Sequence, residues 1–492
     1  MNASATVSKA HVDYKRLFFM FLGIFLFCIV YWAPPFPDAI DPLGASFTLS
    51  KEAKGAIAIF LLAGTWWVFE VVPIGITSIL IGVMQVMFYV RSANDAFKDF
   101  MTPSVMFIFA SLIIGIVFTK TGLTKRIAYK MLSIVGEKTH LIMLGCFLIT
   151  VALTHFMAHT AVAATMYPLL LAVYAMYSDD PSKPTNFGKG LFIGMAYVAG
   201  AGSIVTLLGA ARAPVALGFY NDIVGREISF FELTYYMAPV GWLMAFLIWG
   251  MILLFLPPEK KEIEGVRERA AELAAQQGPI SAKEIVAAGV VITCILIMSL
   301  GSFFPLLAKL DKTGLILITT LIFFTTRILT IDDLEAVPWN IILLFGGAMS
   351  IGFCLWQTGA AQWMAVHWLT LFEKAHWFIF VMGMAVFVLA MTNFIMNVAA
   401  IAISMPVALV IAPYLNVAPE VITFAALVTA GMPFLLLVGA APNAIAYNSG
   451  QFTTGEFFKY GLVASILLLA VLSLFILVIW PLMGMPVSLL GG

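Results

Sequence analysis

The stretch THFMAHTAVAATMYP at residues 154–168 returns in altered form as TNFIMNVAAIAISMP at residues 392–406. When the two stretches are aligned, a Thr, a Phe, two Ala and a Pro coincide. Shorter matches keep the same order along the chain: GIVFTKTG (115–122) with GFCLWQTG (352–359), GAARAP (209–214) with GAAPNA (439–444), and ELTYY (232–236) with EFFKY (456–460). A single match would mean little, but a series in the same order indicates an internal repeat.

The composition places this repeat in a membrane. Hydrophobic residues make up 62% of the 492 residues and charged residues only 11%, whereas a soluble domain carries about 25% charged residues. Apolar runs of roughly 17–25 residues, long enough to cross a bilayer, recur along the whole chain. The short alternating segments of a membrane barrel do not occur in the sequence. We therefore predict an all-α polytopic membrane protein with about 11 transmembrane helices.

A charged segment, PPEKKEIEGVRERAAELAAQQGPISAKE at residues 257–284, separates the two halves. It is rich in helix-forming residues and is bounded by Pro and Gly-Pro, which predicts a surface helix. The predicted organisation is an N-terminal segment with the first span (1–48), repeat 1 (49–256), this linker, and repeat 2 (285–492).

Basic residues indicate how the repeats are oriented. The segment after the first Thr-Gly pair carries Lys125, Arg126, Lys130 and Lys138, whereas its counterpart at 357–372 has no Lys or Arg. Basic loops stay in the cytoplasm, so equivalent segments face opposite sides and the repeats are inverted. We predict a bacterial inner-membrane protein whose N-terminus and linker are cytoplasmic. Inverted repeats are typical of secondary transporters, which bind substrate near the midplane where broken helices meet.

Helix breaks are predicted at Gly209–Pro214 and Gly439–Pro442, at corresponding positions of the halves. Backbone groups that a break frees inside a membrane must be satisfied by protein, ions or a wet cavity. The N-terminal end of the second half-helix favours an anion, and the exposed carbonyls favour a cation. The alternative is a pair of kinks that serve helix packing.

His155 and His159 lie four residues apart, which would place them on one face of a continuous helix. They are candidates for metal ligands, a proton relay or packing. The zinc-protease pattern needs Glu after the first His, and here that residue is Phe156. An intramembrane metalloenzyme built on the two histidines is therefore the weaker alternative, and we expect no enzyme activity. A packing role suits His155, whereas His159 aligns with another polar residue, Asn397, and is a candidate for a transport site.

The stretch WWVFEVVPIG (66–75) resembles the Trp-Trp-x-x-Glu-Ala-x-Pro-x-Gly signature of the divalent anion–sodium symporters, the INDY-type dicarboxylate, citrate and sulfate carriers. That family also has a Ser-Asn-Thr triad at the tip of a re-entrant hairpin in each half, and a Gly-Thr-Pro-Pro-Asn-Ala-like break, which GAAPNAIAYNSG (439–450) resembles. The resemblance covers nearly the whole chain. It implies two re-entrant hairpins, a homodimer and an elevator-type motion.

The resemblance also implies the site residues. The triads read Ala158-His159-Thr160 and Met396-Asn397-Val398. Substrate contacts are expected at the Asn and Thr positions of the triads and in the two breaks: His159, Thr160, Asn397, Val398, Arg212, Pro442 and Asn443. Cation or coupling contacts are expected at Thr154, His159, Gly209, Thr392, Asn397 and Gly439.

The first half departs most from the family pattern. Arg212 and Ala213 stand where the family has Pro-Asn, and a fixed guanidinium would repel Na⁺ and could itself supply positive charge. We therefore expect the first sodium site to be lost or weakened, unless Arg212 snorkels or pairs with an acid such as Asp222. His159, with an ordinary pKa of about 6.5, is a candidate for proton coupling or for direct anion binding.

Taken together, these features predict a secondary active transporter of small anions, with dicarboxylates as the first expectation and sulfate, sulfonates or other organic anions as the alternative. Coupling to Na⁺, to H⁺ or to a counter-anion stays open. We expect no cofactor other than Na⁺, and as partners a small anion, the bilayer and a second copy of the chain, with no nucleic acid.

Overall fold

The computed structural model describes residues 13–40, 46–178, 180, 183–372 and 376–489. Residues 1–12 and 41–45 of the predicted N-terminal segment thus lie outside the described residues. Helices dominate the described parts. The named strands are β1 (Ala39–Ile40) and β2 (Ser46–Phe47), which pair antiparallel. The prediction of an all-α membrane protein is confirmed.

The helices of the first half and their bounds are α1 (Tyr14–Trp32), α2 (Lys51–Val68), α3 (Ile74–Met87), α4 (Ala93–Lys98), α5 (Pro103–Thr121), α6 (Leu123–Val135), α7 (Thr139–Leu153), α8 (His159–Tyr177), α9 (Asn186–Gly202), α10 (Arg212–Val224) and α11 (Phe230–Phe255). Helix α12 (Val266–Gln276) occupies the linker, where a surface helix was predicted.

The second half contains α13 (Ala282–Leu300), α14 (Pro305–Ala308), α15 (Lys312–Thr325), α16 (Ile331–Glu335), α17 (Trp339–Gln357), α18 (Ala360–Phe372), α19 (Trp377–Phe394), α20 (Asn397–Ile411), α21 (Pro419–Gly431), α22 (Ala441–Tyr447), α23 (Thr454–Leu474) and α24 (Trp480–Leu482). Short 3₁₀ turns lie at Asp99–Met101, Ala412–Leu415 and Leu437–Gly439, and a π-helical turn at Phe475–Ile479 joins α23 to α24.

In the described parts of the chain, nine helical segments are long and apolar enough to cross a bilayer, and shorter apolar helices accompany them. If each broken helix counts as one span, the predicted spans correspond to α1, α2, α3, α5, α9–α10, α11, α13, α15, α17, α21–α22 and α23. The pairs α7–α8 and α19–α20, which we call hairpin 1 and hairpin 2, fit the predicted re-entrant hairpins.

The elements of the two halves correspond in order: α5–α6 to α17–α18, hairpin 1 to hairpin 2, α9–α10 to α21–α22, and α11 to α23. Corresponding helices α5 and α17 run antiparallel. Lys120, in the last turn of α5, pairs with Asp333, which precedes α17. At the other end, Ser350 of α17 donates a hydrogen bond of 3.0 Å to the carbonyl of Ala96, which precedes α5. This antiparallel relation is what inverted repeats require.

The linker forms hydrogen bonds with both ends of hairpin 1. The backbone N–H of Thr139, at the start of α7, donates to the carbonyl of Lys261 at 2.9 Å. The hydroxyl of Tyr177, at the end of α8, donates to Glu259 at 2.7 Å. Both ends of the hairpin therefore lie on the linker side of the molecule, and its tip is the part that reaches inward.

Candidate functional site

The tip of hairpin 1 separates the two histidines. Helix α7 ends at Leu153 and α8 begins at His159, so the chain leaves the helix between His155 and His159. The expectation that they share one helix face is wrong, because that spacing rule holds only within a continuous helix. The ring of His155 instead lies edge-on against Trp242 of α11, with 5.5 Å between ring centres, which fits the packing role. The metalloenzyme alternative depended on the two histidines sharing one helix face, and the structure does not show that arrangement.

His159 joins the tip of hairpin 1 to the first helix break. Its backbone N–H donates to the carbonyl of Gly209 at 3.0 Å, and its Nδ1 lies 3.3 Å from the same oxygen. The second contact is a hydrogen bond when Nδ1 carries the proton. A further bond runs from the hydroxyl of Thr206 to the carbonyl of His155 at 2.9 Å. The tip and the break therefore form one unit.

The first break lies between the end of α9 at Gly202 and the start of α10 at Arg212. Gly209 sits at its centre. A Cβ on Gly209 would lie 2.5 Å from the carbonyl oxygen of Ser203 and 2.8 Å from that of Thr154, so any side chain would collide with backbone. The close approach requires glycine, which explains why this residue recurs in both halves.

The second break, between Gly431 and Ala441, is supported by amide side chains. The carboxamide oxygen of Asn393, the counterpart of His155, accepts hydrogen bonds from the N–H groups of Leu435 at 2.8 Å and Leu436 at 3.3 Å. Asn443 donates to the carbonyl of Pro433 at 2.9 Å. These bonds satisfy backbone groups that the break frees inside the protein.

A cavity of about 580 Å³ lies where the two hairpin tips meet the first break. It brings together five of the predicted substrate residues, from both halves of the chain: His159, Thr160, Arg212, Asn397 and Val398. Pro442 and Asn443 lie in the first turn of α22, outside the cavity lining, so their predicted contact with substrate stays a prediction. The other wall of the cavity comes from α5 and α17.

Arg212 is the buried charged residue among those that line this cavity. Its side chain is buried, with 1% exposure, and Nη2 donates to the hydroxyl of Ser203 at 2.7 Å. Nη1 is buried without a hydrogen-bond partner. Among the described residues Arg212 forms no salt bridge, so the structure does not show the alternative pairing with Asp222.

The ends of two broken helices surround the guanidinium. A Cβ on Gly431, the last residue of α21, would lie 2.7 Å from Nη2 of Arg212. A Cβ on Gly200, near the end of α9, would lie 2.8 Å from the carbonyl oxygen of Gly431. Helix C-termini carry partial negative charge and stabilise cations. Arg212 therefore occupies a position where the fold itself favours positive charge.

Asn397 is the corresponding residue at the tip of hairpin 2. It is the first residue of α20 and is 7% exposed. Its Nδ2 is buried without a hydrogen-bond partner, as is Nη1 of Arg212. Buried donors without partners are rare in native structures and call for a missing group. Two of them at one cavity, one on a guanidinium, indicate a site for an anionic acceptor.

The residues predicted to bind cations differ between the halves. In the first half the hydroxyl of Thr154 donates to the carbonyl of Val151 in its own turn, at 2.6 Å. In the second half the hydroxyl of Thr392 reaches another helix and donates to the carbonyl of Ala430 at 3.1 Å. The glycine of each break approaches the threonine of its own half in the same way, because a Cβ on Gly439 would lie 2.9 Å from the carbonyl oxygen of Thr392 and a Cβ on Gly209 would lie 2.8 Å from that of Thr154. The cation roles of all these residues stay predictions.

An ion pair between Lys120 and Asp333 also lines the cavity. Burial by itself raises the pKa of the Asp333 carboxyl. Hydrogen bonds from Lys120 and Thr330 outweigh burial and hold this pKa below its ordinary value. The pair is therefore charged on both sides at neutral pH and contributes no net charge. Sequence reasoning missed both residues, because their partnership depends on the antiparallel packing of α5 and α17.

The model of the family described as the sodium:sulfate symporter transmembrane region matches residues 16–486. The chain belongs to this family. The family resemblance predicted from the sequence is thereby confirmed, and the protein is a secondary transporter rather than an enzyme.

Two similar proteins match most of this chain and most of their own length. The chain is 24% identical over 463 residues to the sodium-dependent dicarboxylate transporter SdcS of Staphylococcus saprophyticus, with 89% of each chain covered. It is 23% identical over 432 residues to an uncharacterized transporter of Haemophilus influenzae, covering 86% of this chain and 91% of the relative.

Two solved structures share the fold of this family member at low sequence identity. Neisseria gonorrhoeae MtrF superimposes with a TM-score of 0.57 at 13% identity, over 94% of this chain and 93% of its own. The Alcanivorax borkumensis YdaH transporter superimposes with a TM-score of 0.56 at 12% identity, over 96% and 99% of the two chains.

Proposed function

We propose that the protein carries a small organic anion across the membrane by alternating access, with the anion bound between the two hairpin tips. The observation that carries this proposal is the pair of unpartnered buried donors, Nη1 of Arg212 and Nδ2 of Asn397, at one cavity. One donor comes from each half of the chain. An anion held by both would link the halves, as a substrate at the junction of inverted repeats does.

Dicarboxylates are the first substrates to test, because relatives named as sodium-dependent dicarboxylate transporters match most of the chain. Sulfate and sulfonates come second, because the family description names sulfate. Both kinds of anion present oxygen atoms that accept hydrogen bonds from guanidinium and amide groups.

We propose that the two halves of the chain differ in whether they bind a coupling cation. Arg212 itself begins the second half-helix of the first break, so its permanent positive charge would repel a second cation there. Its guanidinium also approaches Gly431 at the end of α21, so the second half is favoured for Na⁺ by its oxygen atoms at Thr392 and Ala430 and not by distance from the charge. We therefore propose that Na⁺, where used, binds in the second half, and that Arg212 replaces the first cation.

Elevator motion, a homodimer, and an inner-membrane location with a cytoplasmic linker remain predictions from the sequence. The antiparallel relation of α5 and α17 supports the inverted repeats on which the motion and the orientation depend.

The test is uptake of labelled succinate and labelled sulfate into proteoliposomes, with and without a Na⁺ gradient, a pH gradient and internal unlabelled anion. Saturable uptake that responds to at least one of the two gradients or to internal anion, and whose apparent affinity Asn397→Ala lowers by about tenfold or more, supports the proposal. Uptake that is neither saturable nor dependent on any gradient or internal anion would indicate a passive channel and would contradict alternating access.

A further inference from the structure

The two walls of the central cavity differ in chemistry. One wall carries the polar side chains of the hairpin tips and the first break: His159, Thr160, Arg212 and Asn397. The opposite wall comes from α5 and α17. Five of its side chains are apolar and follow helical spacing, which puts them on one face of each helix: Ile108, Leu112 and Ile116 on α5, and Ile341 and Phe345 on α17.

The hydroxyl groups on the apolar wall do not offer free hydrogen-bond donors. Ser111 donates to the carbonyl of Ile108 at 2.8 Å, and Thr119 donates to the carbonyl of Gly115 at 2.9 Å. Both bonds lie within α5 itself. A substrate oxygen against this wall would therefore lose its hydration without gaining a donor, which is unfavourable for a charged group.

The charges along the cavity leave one uncompensated cation among its described lining residues. Lys120 and Asp333 neutralise each other, whereas Arg212 has no acidic partner among the described residues and an unpartnered Nη1. One anionic group on the substrate is enough to compensate this charge. Among the described side chains that line the cavity, no second uncompensated cation is available to pair with another anionic group.

The tip of hairpin 2 is also poorer in donors than the tip of hairpin 1. Thr160 supplies a hydroxyl at the first tip, whereas the corresponding residue at the second tip is Val398, which is 5% exposed and lines the cavity with Met396. The side chains of the second tip thus offer a single amide, that of Asn397, between two apolar groups.

We infer that the substrate is an organic monoanion with one carboxylate or sulfonate group and a bulky apolar body, rather than a short dicarboxylate. The anionic group lies at Arg212 and Asn397, and the body lies between Val398 and the wall formed by α5 and α17. This inference rests on the proposed function for its site, and it narrows the chemical class of the substrate. A cavity of about 580 Å³ falls in the range of pockets that enclose such molecules.

Binding to the purified full-length protein in detergent tests the inference by isothermal titration. The probes are succinate, 3-phenylpropionate, benzenesulfonate and the neutral 3-phenylpropionamide. We expect the two apolar monoanions to bind at least about tenfold more tightly than succinate. About two additional buried methylene groups are enough for this difference, and the unpaired second carboxylate of succinate increases it. The neutral amide should not bind measurably, because it cannot compensate Arg212.

Val398→Thr is the diagnostic variant, because it restores a hydroxyl at nearly constant volume. We expect it to change the ratio of the affinity for succinate to the affinity for 3-phenylpropionate by about tenfold or more, in favour of succinate. A site that hydrogen-bonds a polar group on its ligand discriminates strongly against ligands that lack the group. Val410→Thr makes the same change near the end of the same helix, outside the cavity lining, and should leave the ratio unchanged.

Equal or tighter binding of succinate than of 3-phenylpropionate to the unaltered protein would overturn the inference, whatever the variants do. Counterflow of each bound anion in proteoliposomes tests the proposed function separately. Transport of succinate as the preferred anion would keep the proposed function and remove the inference. Tight binding of 3-phenylpropionate without counterflow of any anion would keep the inference on the site and remove the transport proposal.

Discussion

The guanidinium of Arg212 packs against Gly431, the last residue of α21, although the two residues belong to opposite halves of the chain. A Cβ on Gly431 would lie 2.7 Å from Nη2 and 3.1 Å from Cζ of Arg212. The charge therefore sits at the junction of two broken helices and beside the cavity that both hairpin tips line. Any movement between the halves at this point would change the surroundings of the charge.

This contact predicts the effect of adding one methyl group. Gly431→Ala should displace the guanidinium and reduce anion uptake by about tenfold or more, because misplacing a binding group by about 1 Å can cost as much as 100-fold. Gly250→Ala in α11, where a Cβ meets nothing within 4 Å, is the matched control. Initial rates of uptake, with the melting temperature of each purified variant, are the measurements. Equal uptake by both alanine variants would contradict the tight contact.

Removal of the charge itself should be more severe. Arg212→Ala should weaken anion binding by roughly 30-fold or more, since truncating a buried hydrogen-bonding charge costs about 2–5 kcal/mol. Arg212→Lys keeps the charge but not the planar fork, and should retain part of the affinity. Arg267→Ala on the exposed face of α12 controls for a lost surface charge. Isothermal titration with the best-bound anion measures all three, and unchanged affinity in Arg212→Ala would remove Arg212 from the site.

The amide at the tip of hairpin 2 should also be required. Asn397→Ala removes a buried donor without a partner in the protein, and we expect a loss of affinity of about tenfold or more, as for hydrogen bonds to charged groups. Asn448→Ala, at the exposed end of α22, makes the same change outside the cavity. Wild-type uptake by Asn397→Ala would contradict the proposed binding site.

Substitutions at the matched threonines, Thr154 and Thr392, distinguish the two candidate cation sites. Thr392→Val removes a hydroxyl that donates a hydrogen bond to α21. We expect it to raise the Na⁺ concentration for half-maximal uptake by about fivefold or more. This factor corresponds to about 1 kcal/mol, the contribution of one hydrogen bond. Thr154→Val removes a hydroxyl that bonds only within its own turn, and should leave the Na⁺ dependence unchanged. A larger effect from Thr154→Val than from Thr392→Val would reverse our assignment of the cation to the second half.

His159 should set the pH response if it takes part in coupling. Its Nδ1 faces the carbonyl of Gly209, so protonation of its other ring nitrogen would place charge on the unit formed by the tip and the break. His159→Asn keeps a side-chain donor and matches Asn397 in the other half, but it cannot titrate. We expect uptake by this variant to lose the pH dependence that uptake by the unaltered protein shows, because asparagine has no titrating group. A profile identical to that of the unaltered protein would assign His159 a purely structural role.

Much of the fold follows from local features of the chain. The apolar runs are long enough to span a bilayer, and Gly209 and Gly439 recur in equivalent breaks because both allow close backbone contact. The repeated stretches containing His159 and Asn397 pointed to the hairpin tips. The site could be predicted in part, since five of the seven proposed substrate residues line one cavity.

The remaining features could not be derived from local pattern. A spacing of four residues suggested that His155 and His159 share a helix face, but the helix ends between them. The apolar stripe of Ile108, Leu112 and Ile116 carries no signal in a sequence where most helices are apolar. Whether such a stripe faces lipid, protein or substrate depends on which helices pack against it.

The sequence by itself therefore determined that the chain is a helical membrane protein with two related halves, because apolar length, charge placement and glycine positions act locally. Only the tertiary structure decided that Arg212 lies at the ends of α9 and α21, that Asn397 shares its cavity, and that Lys120 and Asp333 neutralise each other. Those relationships join residues far apart in the chain. They depend on how antiparallel helices pack, and packing is settled by the whole set of contacts rather than by any one stretch of sequence.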